Sequence, residues 1–206
     1  MARSIAKDHD DKRTRILTIA AQQFAAQGYA QASMAQVSEA CGISKANIYH
    51  YYPSKTALLF DILQTYLGAL RDRVCGLQGE GQSAAEQLHG VTAEILLAYE
   101  GMDALHKIQT ESLHLLPQAQ QETLRGYQRD MVRKVSGILA AAAPDLQQHS
   151  REHLHQATMS VFGMLNWFYM WNPGADTAAR LDYARVVADL TLSGISGLRT
   201  PPTPSR

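Results

Sequence analysis

The 206-residue sequence predicts an all-α protein, in which an N-terminal domain of three helices with a helix-turn-helix precedes a bundle of six helices. Apolar residues recur at intervals of three and four in every long segment, and no segment alternates apolar and polar residues as a β-strand does. Around Gly42, about three residues separate two short helical segments, which is helix-turn-helix spacing. A hydrophobic fraction of 46% is sufficient to form a core.

The charge of the chain is balanced overall but not along its length. Lys+Arg and Asp+Glu each count 19, so the net charge does not indicate a nucleic-acid partner. Seven basic and four acidic residues occur up to Phe60, against twelve and fifteen after it. Any basic surface is therefore expected in the N-terminal part.

Cysteine usage and hydropathy indicate a cytoplasmic protein without a membrane segment. Cys41 and Cys75 show neither metal-ligand spacing nor a framework of disulfide pairs, which favours a reducing compartment. Residues 1–15 are charged throughout and lack the apolar centre of a signal peptide. No later apolar run is long enough to span a bilayer.

The first helix is predicted to begin at Lys12 and to end at Gly28. Residues 1–11 mix charges without an apolar period, so we expect a flexible arm that carries Arg3 and Lys7. Such an arm either contacts a phosphate or a minor groove, or remains a solvated tail. The helix that follows has its apolar residues on one face: Ile16, Leu17, Ala20, Ala21 and Phe24.

Two short helices follow, and the second is predicted to display polar groups. Ser33 caps the first of them and Ser44 the second, which Pro53 stops. At about 100° per residue, Ile48 and Tyr52 share one edge of the second helix. The opposite side carries small, polar and aromatic residues: Ala46, Asn47, Tyr49 and His50. The hypothesis that follows is a DNA recognition helix.

The motifs of this region resemble the N-terminal domain of TetR/AcrR-type transcriptional regulators. The pattern covers about the first quarter of the chain, without gaps: Thr14, Ile16, Ala20, Ala21, Phe24, Gly28-Tyr29, Ser33-Met34, Val37, Gly42-Ile43-Ser44-Lys45, Ile48-Tyr49, Tyr51-Tyr52, Ser54-Lys55 and Leu58. Ala32 stands where the family often has Thr, and Tyr52 where Phe is common. Neither departure removes a chemical group that the fold needs.

This resemblance implies a domain organisation and partners. It implies a flexible arm at 1–11, a helix-turn-helix DNA-binding domain at 12–53, a helical ligand-binding and dimerisation domain at 54–199, and a disordered tail at 200–206. A homodimer would then bind a palindromic double-stranded operator, because two recognition helices about 34–36 Å apart read two half-sites. A small-molecule inducer would release a repressor of this kind.

The same resemblance assigns DNA contacts residue by residue. Thr14 and Ser33 lie near predicted helix N-termini, where hydroxyl and N–H groups suit phosphate oxygens. Ser44 is a further expected DNA contact. The residues expected to face base edges are Lys45, Ala46, Asn47 and His50. Phosphate contacts are expected from Tyr49, Tyr51 and Lys55. The alternatives are that Tyr51 is mainly core, that His50 is only solvated, and that Lys55 is an ordinary first-turn lysine.

The six later helices have recognisable starts. The first runs from Ser54 to Gly76, and a Ser83/Glu86 capping box opens the second. Asp103 is expected to cap the third, and Pro117 to begin a fourth that Pro144 stops. The last two are expected to begin at Ser150 and at Asp176 or Thr177.

The family resemblance implies a ligand pocket within this bundle, and pockets combine apolar or aromatic lining with a few polar groups. The candidate residues are Tyr99, His106, Gln109, Thr110, Tyr127, Met131, Met159, Phe162 and Trp167. Each of them could instead be ordinary core. Residues 162–174, with two tryptophans and Asn-Pro-Gly, resemble regulators of fatty-acid or aromatic-acid breakdown, which respond to acyl-CoA-type ligands. The expected inducer is therefore apolar, or of acyl or aromatic-acid type.

The last two helices are expected to form the dimer interface. The final helix mixes large apolar residues with small ones that permit close helix approach: Ala188, Leu190, Leu192, Ser193, Gly194, Ile195, Ser196, Gly197 and Leu198. Packing within the chain could use the same residues.

A second function class is a helical di-metal oxidase. Glu86/His89 and Glu111/His114 both have Glu-x-x-His spacing, which such bundles use together with two further glutamates. Glu94 and Glu100 are the available further glutamates. A local histidine cluster, His149, His153 and His155, has no carboxylate or thiolate spacing that completes a metal site. We expect neither enzyme activity, nor a metal, nor another cofactor.

Overall fold

The computed structural model describes residues 2–198, apart from the side chains of residues 2–10 and 147–149. Within this range the chain forms ten α-helices and one short 3-10 turn, Leu113–Leu115. The α-helices are α1 Ala2–Gln27, α2 Met34–Ala40, α3 Lys45–Tyr51, α4 Lys55–Cys75, α5 Ala84–Ala98, α6 Asp103–Ser112, α7 Gln118–Ala142, α8 Pro144–His149, α9 Arg151–Trp171 and α10 Thr177–Ile195. The described residues contain no strand, and the all-α fold class is confirmed.

The first helix is longer than predicted, because α1 begins at Ala2. The expected flexible arm is therefore helical from its second residue. No glycine or proline interrupts residues 2–27, and Asp8/Lys12 and Asp11/Arg15 have the i,i+4 spacing that favours a helix. The side chains of Arg3 and Lys7 lie outside the described part of the chain, and so does the tail predicted at 200–206.

The second half contains one helix more than predicted. Pro144 was expected only to stop a helix, but it also begins α8, in which it occupies the first turn. Proline suits this position because its missing N–H would have no partner inside the helix. Seven helices rather than six therefore follow α3 within residues 55–198. Asp103 is the first residue of α6 and not its cap, which is Met102.

Local side-chain chemistry fixes several helix starts, as predicted. Ser83 and Glu86 form the expected capping box, with Ser83 N–H donating to the Glu86 carboxylate at 2.7 Å. Ser150 caps α9, and its Oγ accepts from the backbone N–H of His153 at 3.3 Å. Asp176 caps α10 by accepting from the N–H of Ala179 at 2.8 Å. These bonds satisfy N–H groups that the first turn of a helix leaves without partners.

The chain folds into two compact units that differ from the predicted division after residue 53. The first unit comprises residues up to Gly68 together with Met102–Arg125, and the second comprises Ala69–Gly101 together with residues from Gly126 onward. Helix α6 belongs to the first unit because it packs on α1. There Lys107 Nζ donates to the carbonyl of Ala25 at 3.0 Å.

The first unit has a core built by α1 to α4. The buried side chains are Ile16, Ala20, Ala21, Phe24, Met34, Val37, Ile48, Leu58, Leu59 and Ile62. Gly42, in the turn between α2 and α3, has φ +65°, a conformation that favours glycine. This turn places α3 directly after α2, so the pair forms a helix-turn-helix.

The second unit is centred on the packing of α5 against α10. Thr92 Oγ1 donates to the carbonyl of Ala184 at 3.1 Å, which joins the two helices in the interior. The guanidinium of Arg180 is buried, and it donates to the carbonyls of Ala175 at 3.0 Å and Leu96 at 3.3 Å. Because carbonyls at a helix C-terminus carry partial negative charge, a cation near the end of α5 is favourable.

Candidate functional site

Helix α3 is attached by one side and displays the other. Ile48 is 0% exposed and anchors the helix in the core of the first unit. The residues predicted to face base edges, together with Tyr49, are all exposed: Lys45, Ala46, Asn47, Tyr49 and His50. The helix thus presents a cation, an amide, an imidazole and a phenol hydroxyl on one surface. These are groups that hydrogen-bond to base edges and phosphates.

Both ends of α3 are defined by hydrogen bonds. Ser44 Oγ accepts from the backbone N–H of Asn47 at 3.1 Å, as expected of a cap. At the other end, the N–H of Tyr52 donates to the carbonyl of Ile48 at 2.9 Å. Tyr51 is half-buried, and its ring meets that of His50 edge to face at 5.9 Å between centroids. Tyr51 is therefore neither fully in the core nor fully exposed for a phosphate contact, the two alternatives considered for it from the sequence.

A polar network that the sequence did not reveal lies beneath α3. Tyr52 is 5% exposed, and its hydroxyl donates to Asp61 Oδ2 at 2.7 Å. Arg13 Nε donates to the same oxygen at 3.0 Å, and its Nη2 donates to Oδ1. Burial raises the pKa of the Tyr52 hydroxyl, and its hydrogen bond to Asp61 raises that pKa further. One carboxylate therefore joins α1, α4 and the residue that ends α3.

Lys55, predicted to contact a phosphate, has its ammonium group against the α1–α2 loop. Its Nζ donates to three backbone carbonyls, those of Tyr29 at 2.7 Å, Ala30 at 3.2 Å and Ala32 at 2.8 Å. It also lies 4.5 Å from the centroid of the Tyr29 ring. An ammonium group has three N–H donors, and here all of them serve the α1–α2 loop. Lys55 is thus a structural tie between that loop and the start of α4.

Of two further predicted phosphate contacts, Ser33 lies at a helix N-terminus as expected, and Thr14 does not. Thr14 is exposed, but it lies in the interior of α1 because that helix begins at Ala2, so no free helix N-terminus accompanies its hydroxyl. Ser33 is exposed at the start of α2. Its hydroxyl forms a capping box with Gln36, donating to Oε1 at 2.8 Å and accepting from the backbone N–H at 3.2 Å.

Three of the predicted ligand residues belong to the first unit. His106 is buried, and its Nδ1 lies 3.5 Å from the hydroxyl of Tyr66. Thr110 Oγ1 donates to the carbonyl of His106 at 3.0 Å, so this hydroxyl is used within α6. Gln109 is half-buried.

The other six belong to the second unit, where three of them are buried: Tyr99, Met131 and Phe162. The hydroxyl of Tyr99 donates to Asn166 Oδ1 at 2.8 Å. Tyr127 is half-buried, and the guanidinium of Arg71 lies 5.0 Å from its ring centroid. Met159 is 45% exposed and Trp167 61% exposed, so neither lines an interior pocket of this unit. Their helical phase places them opposite the buried face of α9.

Two apolar stripes lie exposed on α9 and α10. The α9 stripe consists of Met159, Gly163, Trp167 and Met170, and the α10 stripe consists of Val186, Leu190 and Ser193. Leu190 is 61% exposed, whereas Ala188 and Ile195 are buried within the unit. Of the apolar and small residues of α10 that were predicted for the dimer interface, only some are therefore used for packing within the unit.

The groups suggested for a di-metal centre have other contacts. Glu86 caps α5, and the hydrogen bonds from Ser83 lower the pKa of its carboxyl. His89 pairs with Asp189 at 3.1 Å. Glu94 accepts from Arg73 at 2.5 Å. Because α6 ends at Ser112, His114 lies outside the helix that carries Glu111.

The other residues considered as metal ligands do not form a metal site among the described side chains either. Glu100 accepts from Thr177 Oγ1 at 3.0 Å. His153 and His155 follow the start of α9, and the side chain of His149 lies outside the described part. Among the side chains that the structure describes, no three His, Cys, Asp or Glu residues are grouped to hold a metal ion.

Within residues 2–198, no helix has both the length and the apolar character needed to cross a membrane.

Two family models match the chain, one for each part of the predicted organisation. The model described as "Bacterial regulatory proteins, tetR family" matches residues 16–62. The model described as "Tetracyclin repressor-like, C-terminal domain" matches residues 81–195, more than half of the chain. The first match contains the helix-turn-helix, and the second covers α5 to α10.

Among curated proteins, the HTH-type transcriptional repressor KstR2 of Rhodococcus jostii is 26% identical over 138 residues. The match spans 65% of this chain and 66% of the repressor, so the chain covers slightly less than two thirds of that relative's length.

Solved structures extend the comparison over most of the chain. A TetR-family transcriptional regulator from Bordetella parapertussis is 30% identical with a TM-score of 0.81, covering 92% of this chain and 98% of the regulator. AibR, solved in complex with isovaleryl coenzyme A and operator DNA, is 20% identical with a TM-score of 0.72, covering 87% of this chain and 97% of AibR. At 20% identity, that second likeness shows the fold alone. Since both family models and the Bordetella structure agree, this chain belongs to the TetR family of bacterial regulatory proteins.

Proposed function

We propose that this protein is a DNA-binding transcriptional repressor that a small molecule releases from a palindromic operator. The observation that carries the proposal is α3, which is anchored by Ile48 and exposes Lys45, Asn47 and His50. A short helix with one buried side and one exposed polar side has the form of a recognition helix that enters the major groove. Membership of the TetR family supports the same function. We infer repression rather than activation because the relative KstR2 is a transcriptional repressor.

A homodimer is part of this proposal. The α9 and α10 stripes expose large apolar side chains beside small residues, a composition that suits burial against a second copy of the chain. A two-fold symmetric pair would place two α3 helices about 34–36 Å apart, one for each half-site of a palindrome. We place this assembly in the cytoplasm, where both cysteines, which are free thiols, would stay reduced.

The proposed inducer is an acyl-CoA or a related acyl or aromatic acid. AibR was solved with isovaleryl coenzyme A, which makes an acyl thioester a reasonable first ligand for a relative with this fold. In the second unit, Met131 and Phe162 offer buried apolar surface, and the partly buried Tyr99–Asn166 pair offers polar groups. A ligand with an apolar chain and a carbonyl matches that combination.

Release is proposed to occur by a population shift. The ligand would bind better to a dimer state in which the separation of the two α3 helices does not fit the operator. It can lower DNA affinity only by the ratio of its own affinities for the two states.

The test has two stages. The purified protein is first used to select binding sequences from a random duplex pool, and enrichment of a palindrome with half-sites one helical turn apart is expected. Short and long acyl-CoA esters are then titrated against the bound complex, with free coenzyme A and the free acids as controls. Release by an ester alone supports the proposed ligand class. A pool without any enriched sequence would contradict the DNA-binding function itself.

A further inference from the structure

We propose that Tyr52 is a positioning residue for sequence recognition, because its hydroxyl, held by the Asp61–Arg13 pair, sets the orientation of α3. This inference rests on the proposed DNA-binding function. Tyr52 lies outside the set of residues expected to contact DNA. It acts through Asp61 and through the helix that it ends.

One buried side chain anchors α3. The helix has seven residues, and Ile48 is its buried residue. A single apolar anchor restrains the distance of a short helix from the core, but dispersion contacts have little directionality and resist rotation weakly. Tyr52, the C-cap four residues after Ile48, is also buried, so it provides a second fixed point at the end of the helix.

The Tyr52 ring is buried, and its hydroxyl donates to Asp61 Oδ2 at 2.7 Å. Hydrogen bonds weaken steeply away from linear geometry, so this bond restrains the direction of the ring as well as its depth. A phenylalanine would fill the same volume without that restraint.

The acceptor of this hydrogen bond, Asp61, is itself fixed. Arg13 donates from both Nε and Nη2 to the two oxygens of Asp61. A planar guanidinium fork that engages both oxygens defines the plane of the carboxylate as well as its position. The Asp61 side chain is 18% exposed and that of Arg13 43%, so the carboxylate is the better shielded of the two. Tyr52 is therefore held by a group that α1 and α4 position together.

The consequence for DNA binding is selective. Base contacts from Asn47 and His50 require α3 to lie within a fraction of an ångström of its correct place. Non-specific binding depends mainly on phosphate charge and tolerates small rotations. Loss of the Tyr52 hydroxyl should therefore weaken operator binding more than non-specific binding. It should leave the salt dependence unchanged, because no phosphate contact is removed.

The experiment compares Tyr52→Phe with Tyr29→Phe. The Tyr29 hydroxyl also has a partner in the first unit, Thr56 Oγ1 at 3.3 Å. Neither Tyr29 nor Thr56 belongs to α3 or caps it, so Tyr29→Phe is the control. With the selected operator, Tyr52→Phe is expected to lose about 3- to 10-fold in affinity, and Tyr29→Phe less than about 2-fold. Binding to unrelated duplex DNA and the salt slope should stay unchanged in both. An equal loss on operator and unrelated DNA would overturn the positioning role.

A cycle with Asp61→Ala tests whether the effect passes through the carboxylate. In that background the Tyr52 hydroxyl has lost its acceptor, so adding Tyr52→Phe should cost less than about 2-fold in operator affinity. If the two losses instead multiply in full, the hydroxyl does not act through Asp61 and the proposal fails.

Hydrogen exchange on the DNA-free protein makes the test independent of operator binding. In Tyr52→Phe, the amides of Ile48 and Tyr52 should exchange several-fold faster, while those of Val37 and Cys41 in and after α2 keep their rates. Unchanged rates at the end of α3 would overturn the inference. If the wild-type protein selects no DNA but these rates change, the proposed function fails while the restraint on α3 stands; the recognition role then falls with that function.

Discussion

Two surfaces of this molecule are exposed for opposite chemical reasons. Helix α3 exposes polar side chains around one buried isoleucine, whereas the α9 and α10 stripes expose methionine, tryptophan, valine and leucine. Water solvates the first surface well and the second poorly. Exposure of polar groups on a short helix suits a wet, charged partner such as DNA. Exposure of large apolar groups suits a partner that removes them from water, such as a second copy of the chain.

Exposed polar groups of this molecule differ from polar groups that have partners inside the chain. Lys45 is exposed on α3, while the ammonium of Lys55 donates to three carbonyls of the α1–α2 loop. Both lysines carry the same charge and lie ten positions apart in the same motif. Only the packing of the α1–α2 loop distinguishes their roles.

The largest expected effect is loss of the proposed dimer when a charge is placed in the α10 stripe. In Leu190→Glu, a carboxylate would be buried without a partner, so the dimer dissociation constant should rise at least about 100-fold. Sedimentation equilibrium measures this directly. Leu181→Glu is the matched control. Leu181 is also exposed on α10, but it lies nine residues, about two and a half turns, before Leu190 and therefore on the opposite side of the helix. Dimers that survive in Leu190→Glu, or dissociate equally in both variants, would contradict an interface at the stripe.

The next effect distinguishes the two lysines. Lys55→Ala should lower the free energy of unfolding by about 1–3 kcal/mol, because three carbonyls lose their donor. Lys45→Ala should change stability by less than about 0.5 kcal/mol but weaken DNA binding. Urea titration and DNA binding at several salt concentrations separate the outcomes. A salt slope that falls by about one in Lys55→Ala, at unchanged stability, would restore the phosphate contact predicted from sequence.

A third effect concerns base recognition by α3. Asn47→Ala and His50→Ala should each relax the preference at one or two operator positions, by about 1–3 kcal/mol where a bidentate contact from Asn47 is lost. Affinities for a full set of single-base operator variants measure this preference. Gln31→Ala, at an exposed position before α2, serves as the control. If all operator variants keep their ranking in both α3 variants, neither residue reads bases.

The smallest effect tests a polar group whose partner lies inside the chain. Hydrogen bonds from Ser83 lower the pKa of Glu86 below its ordinary value of 4.5. Its stabilising contribution is therefore fully present above pH 4.5 and is lost as the pH falls through the lowered pKa. Glu86→Gln should be slightly less stable at neutral pH and should show a weaker acid dependence. Thermal unfolding from pH 7 to pH 2 checks this, and parallel curves for both proteins would contradict it.

The sequence by itself determined the local features. The all-α class, the caps at Ser44, Ser83 and Ser150, and the outward side of α3 depend on residues within a turn or two of one another. Such features hold wherever the helix is placed. The same local rules missed the start of α1 and all of α8, because helix ends without strong capping signals depend on weak propensities.

Tertiary structure alone decided which polar groups meet. Lys55 reaches carbonyls up to 26 residues away, and Arg13 reaches Asp61 across 48 residues. It also left Trp167 and Met159 on the surface of α9, although both residue types are common in cores. Helical periodicity specifies the face on which a side chain lies, but not which helix packs there. Long-range partners therefore follow from the packing of whole helices, which no local pattern encodes.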